Sequence, residues 1–384
     1  MAVRTPIYLD NHATTPLDPR VLEAMTPFLT EHCGNPSSKT HIFGWRAEEA
    51  VNLAREKVAS LIHADAKDIV WTSGTTESIN LALIGAARAN RARGKHIVSC
   101  VTEHRAAIDT LVYLEREGFP ITWLPVDDEG CVDPADVEKA IGDETFLISF
   151  MAANNEIGVI HPVPEIGKIA KEKGVLFHVD AAQACGKIPV DVEGMGIDLL
   201  SMSAHKVYGP KGVGALYIRS RNPHVRLEPI LHGGGQEKGL RPGTLAVPNI
   251  VGMGRAFEIA RLEITAEAAR LQALRERLKE GLLNRVPTAV LNGHPVRRLP
   301  GNLNLSFPGL RSDALIPRIR DVAVSSGSAC ASSETAEPSY VIRSLGGGSD
   351  RALSSIRFGI GRFNTEEEID FVIERVAAAV VGAR

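Results

Sequence analysis

The stretch FHVDAAQ, at residues 177–183, is an apolar run that ends on Asp180. Its aromatic and β-branched residues predict a buried strand at residues 175–179, directly before the carboxylate. In α/β proteins the carboxyl ends of parallel strands form the edge at which ligands bind. Asp180 is therefore a candidate ligand-binding residue, although an acid at this place also suits a helix N-cap or a solvated turn.

Six further short apolar runs have the same character and predict the other strands of one sheet. They lie at residues 68–72, 96–101, 121–126, 146–151, 198–202 and 214–218. Amphipathic segments such as residues 47–61 and 133–141 separate several of them, and the second begins with Asp-Pro, a common helix start. This alternation predicts an α/β fold, a mainly parallel seven-stranded sheet flanked by helices.

A long helical pattern at about residues 249–285 interrupts the alternation. Beyond it we predict strands at 302–307 and 355–359, a helix near 312–320, and a final helix that opens with the sequence NTEE at residues 364–367. The length of the chain allows two domains. We predict a large domain at residues 16–262 and a smaller α+β domain formed by residues 1–15 together with 263–384.

The composition argues against several functional classes. The chain has 384 residues, with 43 basic and 46 acidic side chains and a net charge of -3, so it lacks the basic footprint of a nucleic-acid-binding protein. No apolar run approaches the roughly 18 residues that a membrane span needs. The opening MAVRTPIYLD lacks the features of a signal or transit peptide. Five scattered cysteines without a CxxC pair argue against a disulfide framework or a zinc site. We expect a cytoplasmic protein that contains no metal and does not associate with membranes.

The stretch TSGTTES, at residues 72–78, follows a predicted strand and opens a helix. Hydroxyl groups, a glycine and the free N–H groups of a helix start together suit a phosphate group. The alternative is ordinary helix capping, for which the same residue types are preferred.

The stretch SMSAHKVYGPKG, at residues 201–212, places Lys206 just past another predicted strand, beside Ser203 and His205. Most lysines are simply solvated. A desolvated lysine, however, has a lowered pKa and can form a Schiff base.

Together these three features predict a pyridoxal 5'-phosphate site. An acid 26 positions before a lysine, both at strand ends and accompanied by a phosphate cradle, suits a cofactor whose aldehyde binds the lysine. The acid would keep the pyridine nitrogen protonated so that the ring can withdraw electrons. His104, which follows the strand at 96–101, could lie over the face of the ring.

The stretch AVSSGSACASSETAEPSY, at residues 323–340, places Cys330 among glycine, serine and other small residues. Cysteines that pack in a core usually have apolar neighbours. This composition therefore indicates a thiol that does not serve packing.

Motifs along the whole chain resemble those of one family. They are YLDNHATTP, FGNPSS, TSGTTES, TEH, NNEIG, HVDAAQ, SAHKVYGPKG, HGGGQEKGLRPGT, SSGSAC, EPSY and IRFGIGRF. In this order they resemble the cysteine desulfurases that supply sulfur for iron–sulfur cluster assembly. The resemblance implies a fold-type-I pyridoxal phosphate enzyme and a homodimer. It also implies that L-cysteine is converted to L-alanine and a protein-bound persulfide, whose sulfur passes to acceptor proteins such as an iron–sulfur scaffold.

The resemblance also implies roles for residues at the cofactor. Lys206 would carry it, His104 would stack on it and assist proton transfer, and Asp180 would pair with the pyridine nitrogen. Gln183 would contact the phenolic oxygen. The residues at the family's phosphate positions are Thr75, Thr76, Ser203 and His205.

Four further residues match positions of the family outside the immediate surroundings of the cofactor. Thr244, in RPGT, would reach the phosphate of the other subunit. Asn155 and Arg357 would hold the carboxylate of the substrate. Cys330 would be the nucleophile that takes the sulfur, because a thiolate can attack sulfur and a serine hydroxyl cannot. We expect Cys33, Cys100, Cys131 and Cys185 to be packing or surface residues.

The chain departs from the family pattern at Ala331, where Ser or Thr is more common, and at Ile79, where an acid is frequent. Seven positions separate Cys330 from Glu337, one more than the common pattern. Two other functions are compatible with parts of this set. A selenocysteine lyase or class-V aminotransferase would need Lys206 and Asp180 but not Cys330, and a non-catalytic assembly partner would need none of them.

Overall fold

The computed structural model describes residues 3–326 and 338–383. Within these ranges the strands are β1 (Ile7–Tyr8), β2 (Ile69–Thr72), β3 (His96–Cys100), β4 (Ile121–Leu124), β5 (Thr145–Met151), β6 (Leu176–Asp180), β7 (Leu199–Ser203), β8 (Gly214–Ile218), β9 (Val290–Leu291), β10 (Asn302–Ser306), β11 (Val322–Ala323) and β12 (Ser355–Gly359). The α-helices are α1 (Pro19–Thr30), α2 (Ile42–Leu61), α3 (Thr75–Ala89), α4 (Arg105–Arg116), α5 (Pro134–Ala140), α6 (Val163–Lys173), α7 (Val247–Arg285), α8 (Ser312–Leu315), α9 (Tyr340–Ile342), α10 (Gly348–Leu353) and α11 (Glu366–Val381).

The predicted mainly parallel seven-stranded sheet is confirmed. Its strand order is β2-β8-β7-β6-β5-β3-β4. Five neighbouring strands, from β7 to β4, pair in parallel. β8 is antiparallel to both of its neighbours, so β2 beyond it runs in the same direction as the five. The carboxyl ends of six strands consequently lie along one edge of the sheet.

The central strands of this sheet are buried on both faces, as expected for parallel strands covered by helices. All residues of β5, β6, β7 and β8 are buried. The predicted bounds agree with the observed ones to within one or two residues, and for β8 they coincide. The predicted Asp-Pro helix start is also present, because Asp133 accepts a hydrogen bond from the Ala135 N–H at 2.8 Å and Pro134 is the first residue of α5.

A second sheet lies in the carboxyl-terminal third of the chain. β10 pairs with β12 and with β9, in both cases antiparallel, and α11 packs against α7 beside it. A capping box begins α11: Thr365 accepts from the Glu368 N–H, and the Glu368 carboxylate accepts from the Thr365 N–H. Such a cap contributes about 0.5–2 kcal/mol to helix stability.

The 39-residue helix α7 contributes to both hydrophobic cores. Its first half, with Ile250 and Phe257, packs with the large sheet. Its second half, with Leu271 and Leu278, packs with β10, β12 and α11. The core of the second sheet also contains Ile7 from the amino-terminal segment, where β1 pairs in parallel with β11. The domain boundaries given above remain a prediction.

None of the helices within the described ranges is long and apolar enough to cross a membrane.

Candidate active site

A pocket of about 750 Å³ opens at the edge of the large sheet where the parallel strands end. The segments after β2, β6 and β7 line it, together with the amino-terminal segment and residues of β12. Ten of the twelve predicted site residues lie in its wall. They are Thr75, Thr76, His104, Asn155, Asp180, Gln183, Ser203, His205, Lys206 and Arg357. Their roles remain predictions.

The start of α3 provides the anion-binding end of this pocket. The first N–H groups of any α-helix lack intrahelical partners. Gly74 precedes α3 and provides no side-chain cap for them. Beside them, the hydroxyl oxygens of Thr75 and Ser203 are buried without a hydrogen-bond partner in the described structure. Buried hydroxyls without partners are costly. Free N–H groups and two unpartnered hydroxyls at a helix start therefore fit a phosphate group.

His205 stands at the same end of the pocket and is uncharged at neutral pH. Burial, together with the smaller effects of the charges on Lys206, Lys211 and Lys187, lowers its pKa to about 4. Its Nδ1 atom lies 3.1 Å from the Thr14 hydroxyl, which can donate to it. The ring can then offer a neutral N–H to an anion.

Lys206 follows β7 within a short 3₁₀ turn and faces into the pocket. Its Nζ donates to two backbone carbonyls, His12 O and Ala13 O, both at 2.7 Å. Burial lowers the pKa of Lys206 to about 8, the Arg357 charge lowers it as well, and Asp180 and Asp10 act in the opposite direction. A substantial fraction of this amine is therefore neutral and nucleophilic near pH 8.

Asp180, the last residue of β6, is buried and accepts a hydrogen bond from the Ala182 N–H at 2.9 Å. Burial raises the pKa of Asp180, while His104, the Ala182 N–H and Lys206 lower it. His104 caps α4 by accepting the Ala106 N–H at Nδ1, 3.1 Å away. Because Nδ1 is an acceptor, a neutral His104 ring carries its proton on Nε2. Burial lowers the pKa of His104, which favours that neutral ring.

Gln183 lies at the other wall of the pocket within a closed set of hydrogen bonds. Its Nε2 donates to His12 O at 2.9 Å, and its Oε1 accepts from Lys187 Nζ at 2.8 Å. The same Oε1 lies 3.0 Å from His12 Nδ1. Since an amide oxygen can only accept, His12 carries its proton on Nδ1.

Arg357, in the middle of β12, brings a buried cation to the pocket. Its Nη1 donates to Asn155 O at 2.9 Å and its Nη2 to Asp10 Oδ1 at 2.8 Å. Its Nε is buried and has no partner among the described residues. A guanidinium whose donors are only partly used suits recognition of a carboxylate.

The chain matches known proteins over nearly its whole length. Residues 7–372 match the family model described as aminotransferase class-V. A cysteine desulfurase IscS from Anaeromyxobacter dehalogenans is 59% identical over 97% of this chain and 91% of the relative. The chain belongs to the cysteine desulfurases of the class-V aminotransferase family.

Other relatives and solved structures agree with this assignment. A cysteine desulfurase IscS from Neisseria meningitidis is 53% identical over 99% of this chain and 93% of the relative. A solved NifS-like protein superposes with a TM-score of 0.91 at 39% identity, covering 98% of this chain and 99% of that one. The solved structure of SspA in complex with cysteine gives a TM-score of 0.82 at 36% identity, covering 94% of this chain and 100% of that one.

The other two predicted site residues of this desulfurase-family chain are Cys330 and Thr244. Cys330 lies outside the described residues. Thr244 is exposed and does not line the pocket of its own chain. Its segment is nevertheless fixed, because Arg241 forms an ion pair with Glu77 at 2.8 Å and Gln236 accepts from the Gly243 N–H at 2.8 Å.

The described residues that flank the segment of Cys330 lie beside the pocket. On one side, Ser325 lines the pocket and pairs with Arg357 through the backbone. On the other side, the Ser339 hydroxyl donates to the Glu156 carboxylate at 2.5 Å, and the Tyr340 hydroxyl donates to Glu103 O at 2.5 Å. Both attachment points therefore contact residues next to the site.

Among the described residues, Cys33 is exposed and Cys100, Cys131 and Cys185 are buried free thiols. Burial raises the pKa of Cys100 to about 12 and that of Cys131 to about 11, and it also raises the pKa of Cys185. Buried thiols with raised pKa values are poor nucleophiles. No cluster of residues with the arrangement of a metal site occurs in the described part of the chain.

Sequence reasoning missed three residues of the site. His12 and Asp10 line the pocket from the amino-terminal segment, and Lys187 contacts Gln183. The motif YLDNHATTP contained a signal for the first two, since it was part of the family pattern. No sequence signal distinguished Lys187.

The lowered pKa of Lys206 predicts unusual reactivity in the cofactor-free protein. Acylation of Lys206, followed by mass spectrometry after digestion, should reach half of its maximal rate at about pH 8, because the neutral amine is the reactive form. An ordinary exposed lysine is half neutral only at about pH 10. Lys168, with 77% of its side chain exposed, reports the reactivity of the reagent in the same digest. A half-maximal rate for Lys206 at about pH 10 would contradict the lowered pKa of its amine.

Proposed function

We propose that the protein is a pyridoxal phosphate-dependent cysteine desulfurase that converts L-cysteine to L-alanine and leaves the sulfur as a persulfide on Cys330. The observation that carries the proposal is a half-buried lysine with a lowered pKa in the same pocket as a buried acid and an anion cradle. The persulfide sulfur would pass to acceptor proteins, such as a scaffold for iron–sulfur clusters.

The residues of the pocket fit the cofactor group by group. Thr75, Thr76, Ser203 and His205 would hold the phosphate at the start of α3. Lys206 would bind the aldehyde carbon. Asp180 would pair with the protonated ring nitrogen, because a buried carboxylate needs a cationic partner. Gln183 would donate to the phenolic oxygen, and His104 would lie against the ring. When bound, pyridoxal phosphate withdraws electrons from the α-carbon of the substrate and so makes its proton acidic.

The remaining steps rest on the chain's own side chains. Arg357 and Asn155 would hold the carboxylate of L-cysteine, and the Nε of Arg357, which has no partner among the described residues, supports this role. The neutral amine of Lys206 would remove the α-proton at Nζ. His104, held in place by its bond to Ala106, would carry a proton on Nε2 and help to return protons to the product.

The sulfur step is balanced as a transfer between two thiols. The Cys330 thiolate attacks the substrate sulfur, a new S–S bond forms, and the C–S bond of the substrate breaks. The electron pair of the broken bond stays with the β-carbon of the substrate. The remaining amino acid takes up protons and leaves as L-alanine, so L-cysteine and one thiol give L-alanine and one persulfide. Ser325 lines the pocket five residues before Cys330, which supports this role.

We further propose a homodimer in which Thr244 reaches the phosphate site of the partner subunit. Thr244 is exposed on a segment that an ion pair and a hydrogen bond hold in place, a suitable arrangement for a residue that acts outside its own chain. Large apolar side chains at the end of α1 and the start of α2 are about half exposed, which marks a surface for association. They are Leu29, Ile42, Phe43 and Trp45.

We expect the enzyme in the cytoplasm. Cys33, Cys100, Cys131 and Cys185 are free, as is usual in a reducing compartment.

The desulfurase proposal predicts that Cys330→Ser abolishes alanine formation from L-cysteine. We expect a loss of at least about 100-fold, because a hydroxyl cannot replace the thiolate, while the absorbance of bound cofactor persists. Cys33→Ser, at an exposed thiol away from the pocket, should stay within about twofold of the parent. Alanine and sulfide are measured with and without reductant. Undiminished alanine formation by Cys330→Ser would contradict the persulfide mechanism and leave Cys330 without a catalytic role.

The dimer proposal can be tested with a hybrid of two variants. If Thr244 acts on the partner's site, a dimer of one Lys206→Ala subunit and one Thr244→Ala subunit contains one fully native site. That hybrid should bind one cofactor with the parent's affinity, whereas the Thr244→Ala homodimer should bind more weakly. Sedimentation checks the state of association. Weak binding in the hybrid, or a fully active monomer, would show that Thr244 does not act across subunits.

A further inference from the structure

Lys187, a residue without an assigned role, lies in the turn region that follows β6, and its amine is directed at the site. Its Nζ donates to Gln183 Oε1 at 2.8 Å. Gln183 Nε2 in turn donates to His12 O at 2.9 Å, and Lys206 Nζ donates to the same carbonyl at 2.7 Å. One backbone carbonyl thus links Gln183 to the reactive lysine.

Lys187 helps to fix the direction in which the Gln183 amide faces. Its Nζ donates this hydrogen bond, so the amide presents its oxygen to Lys187. The His12 ring, at 3.0 Å, donates to the same oxygen from Nδ1. The NH₂ group must then face His12 O, which takes one of its two protons. The second proton is available to a ligand in the pocket, whose wall contains Gln183.

The surroundings of this network are buried, so its hydrogen bonds are not exchanged for water. His12 is 2% and Gln183 4% exposed. Charged groups reach Lys187 from three other elements: Lys206 after β7, Arg357 on β12 and Glu267 on α7. Burial lowers the pKa of Lys187 to about 7, Lys206 and Arg357 lower it as well, and Glu267 raises it.

A purely structural lysine would be expected to pair with a carboxylate. Within the described residues, the hydrogen bond of the Lys187 amine goes to the Gln183 amide instead, and no carboxylate lies within ion-pairing distance. Glu267, the nearest acid on α7, is engaged by Arg362 at 2.7 Å. Burying a lysine amine in this place is costly unless its charge or its hydrogen bond to Gln183 serves the site.

We propose that Lys187 is a positioning residue: it fixes the Gln183 amide so that the free N–H of Gln183 points to the phenolic oxygen of the bound cofactor. The inference rests on the proposed function, because it assigns the ligand of Gln183 to pyridoxal phosphate. Lys187 itself acts through Gln183 and does not touch the cofactor.

Two consequences follow for a variant without this amine. The Gln183 amide can rotate, so the phenolic oxygen loses an oriented donor and becomes more basic. A positive charge is also removed from the neighbourhood of the cofactor. Both changes make protonation of the bound chromophore easier, so the midpoint of its absorbance titration moves to higher pH.

The test compares Lys187→Met, Gln183→Met and the double variant with the parent and with Lys168→Met, which removes an exposed lysine of α6. Titration of the cofactor's absorbance with pH should show a raised midpoint for Lys187→Met, and its dissociation constant for cofactor should rise about tenfold. In the Gln183→Met background, Lys187→Met should change the dissociation constant less than twofold and should raise the midpoint less than it does in the parent, since only the charge of Lys187, and not its hold on the amide, is then lost. Lys168→Met should behave like the parent.

The outcomes separate this inference from the proposed function. If the parent binds no pyridoxal phosphate, the proposed function is wrong and the inference falls with it. If the parent binds cofactor and forms alanine, but Lys187→Met leaves the midpoint unchanged, the inference alone is overturned. Additive effects in the double variant, or a lowered melting temperature without a shifted midpoint, would show that Lys187 is structural. Should Lys187→Met fail to fold, Lys187→Gln is judged by the same criteria.

Discussion

The common direction of the strands in the large sheet determines where the functional residues lie. Since β2, β3, β5, β6 and β7 end along one edge, the side chains that follow them converge, although they are far apart in sequence. Asp180 and Lys206 follow two strands that are direct neighbours. The antiparallel strand β8 preserves this arrangement, because β2 beyond it again ends at the same edge. That edge receives the amino-terminal start of α3, and with it the anion cradle.

Burial is the main cause of the altered proton affinities at this edge. It raises the pKa of Asp180 and lowers the pKa values of Lys206, His104 and His205. Each of these groups is therefore shifted toward its uncharged form in the cofactor-free protein. The arrangement is costly in isolation, because the buried hydroxyls of Thr75 and Ser203 have no hydrogen-bond partner within residues 3–326 and 338–383. A ligand that carries a ring nitrogen, an aldehyde and a phosphate would satisfy these groups together.

The sequence predicted the parts of the site that follow directly from strand patterns. Asp180 and Lys206 could be found because each follows an apolar run, and Thr75 because it opens a helix after one. His12 could not be assigned in this way, since only tertiary packing brings it to Gln183. Lys187 could not be assigned either, because it lies in the turn region after β6 and no strand pattern marks it. The two-residue strands β1 and β11 are too short for any pattern to show. The helix α7 contributes to the core beside the large sheet and to the core beside β10 and β12, so no change in composition marks a boundary between them.

The central claim is that Lys206, and no other lysine near the pocket, binds pyridoxal phosphate. Borohydride reduction of the cofactor-loaded protein, followed by digestion and mass spectrometry, tests it directly because reduction makes the attachment permanent. Lys187 and Lys211 are the relevant competitors, since the first contacts Gln183 and the second lines the pocket. The account predicts a phosphopyridoxyl group on the peptide of Lys206 and none on the other two. A label on Lys187 or Lys211, or no stable label, would contradict it.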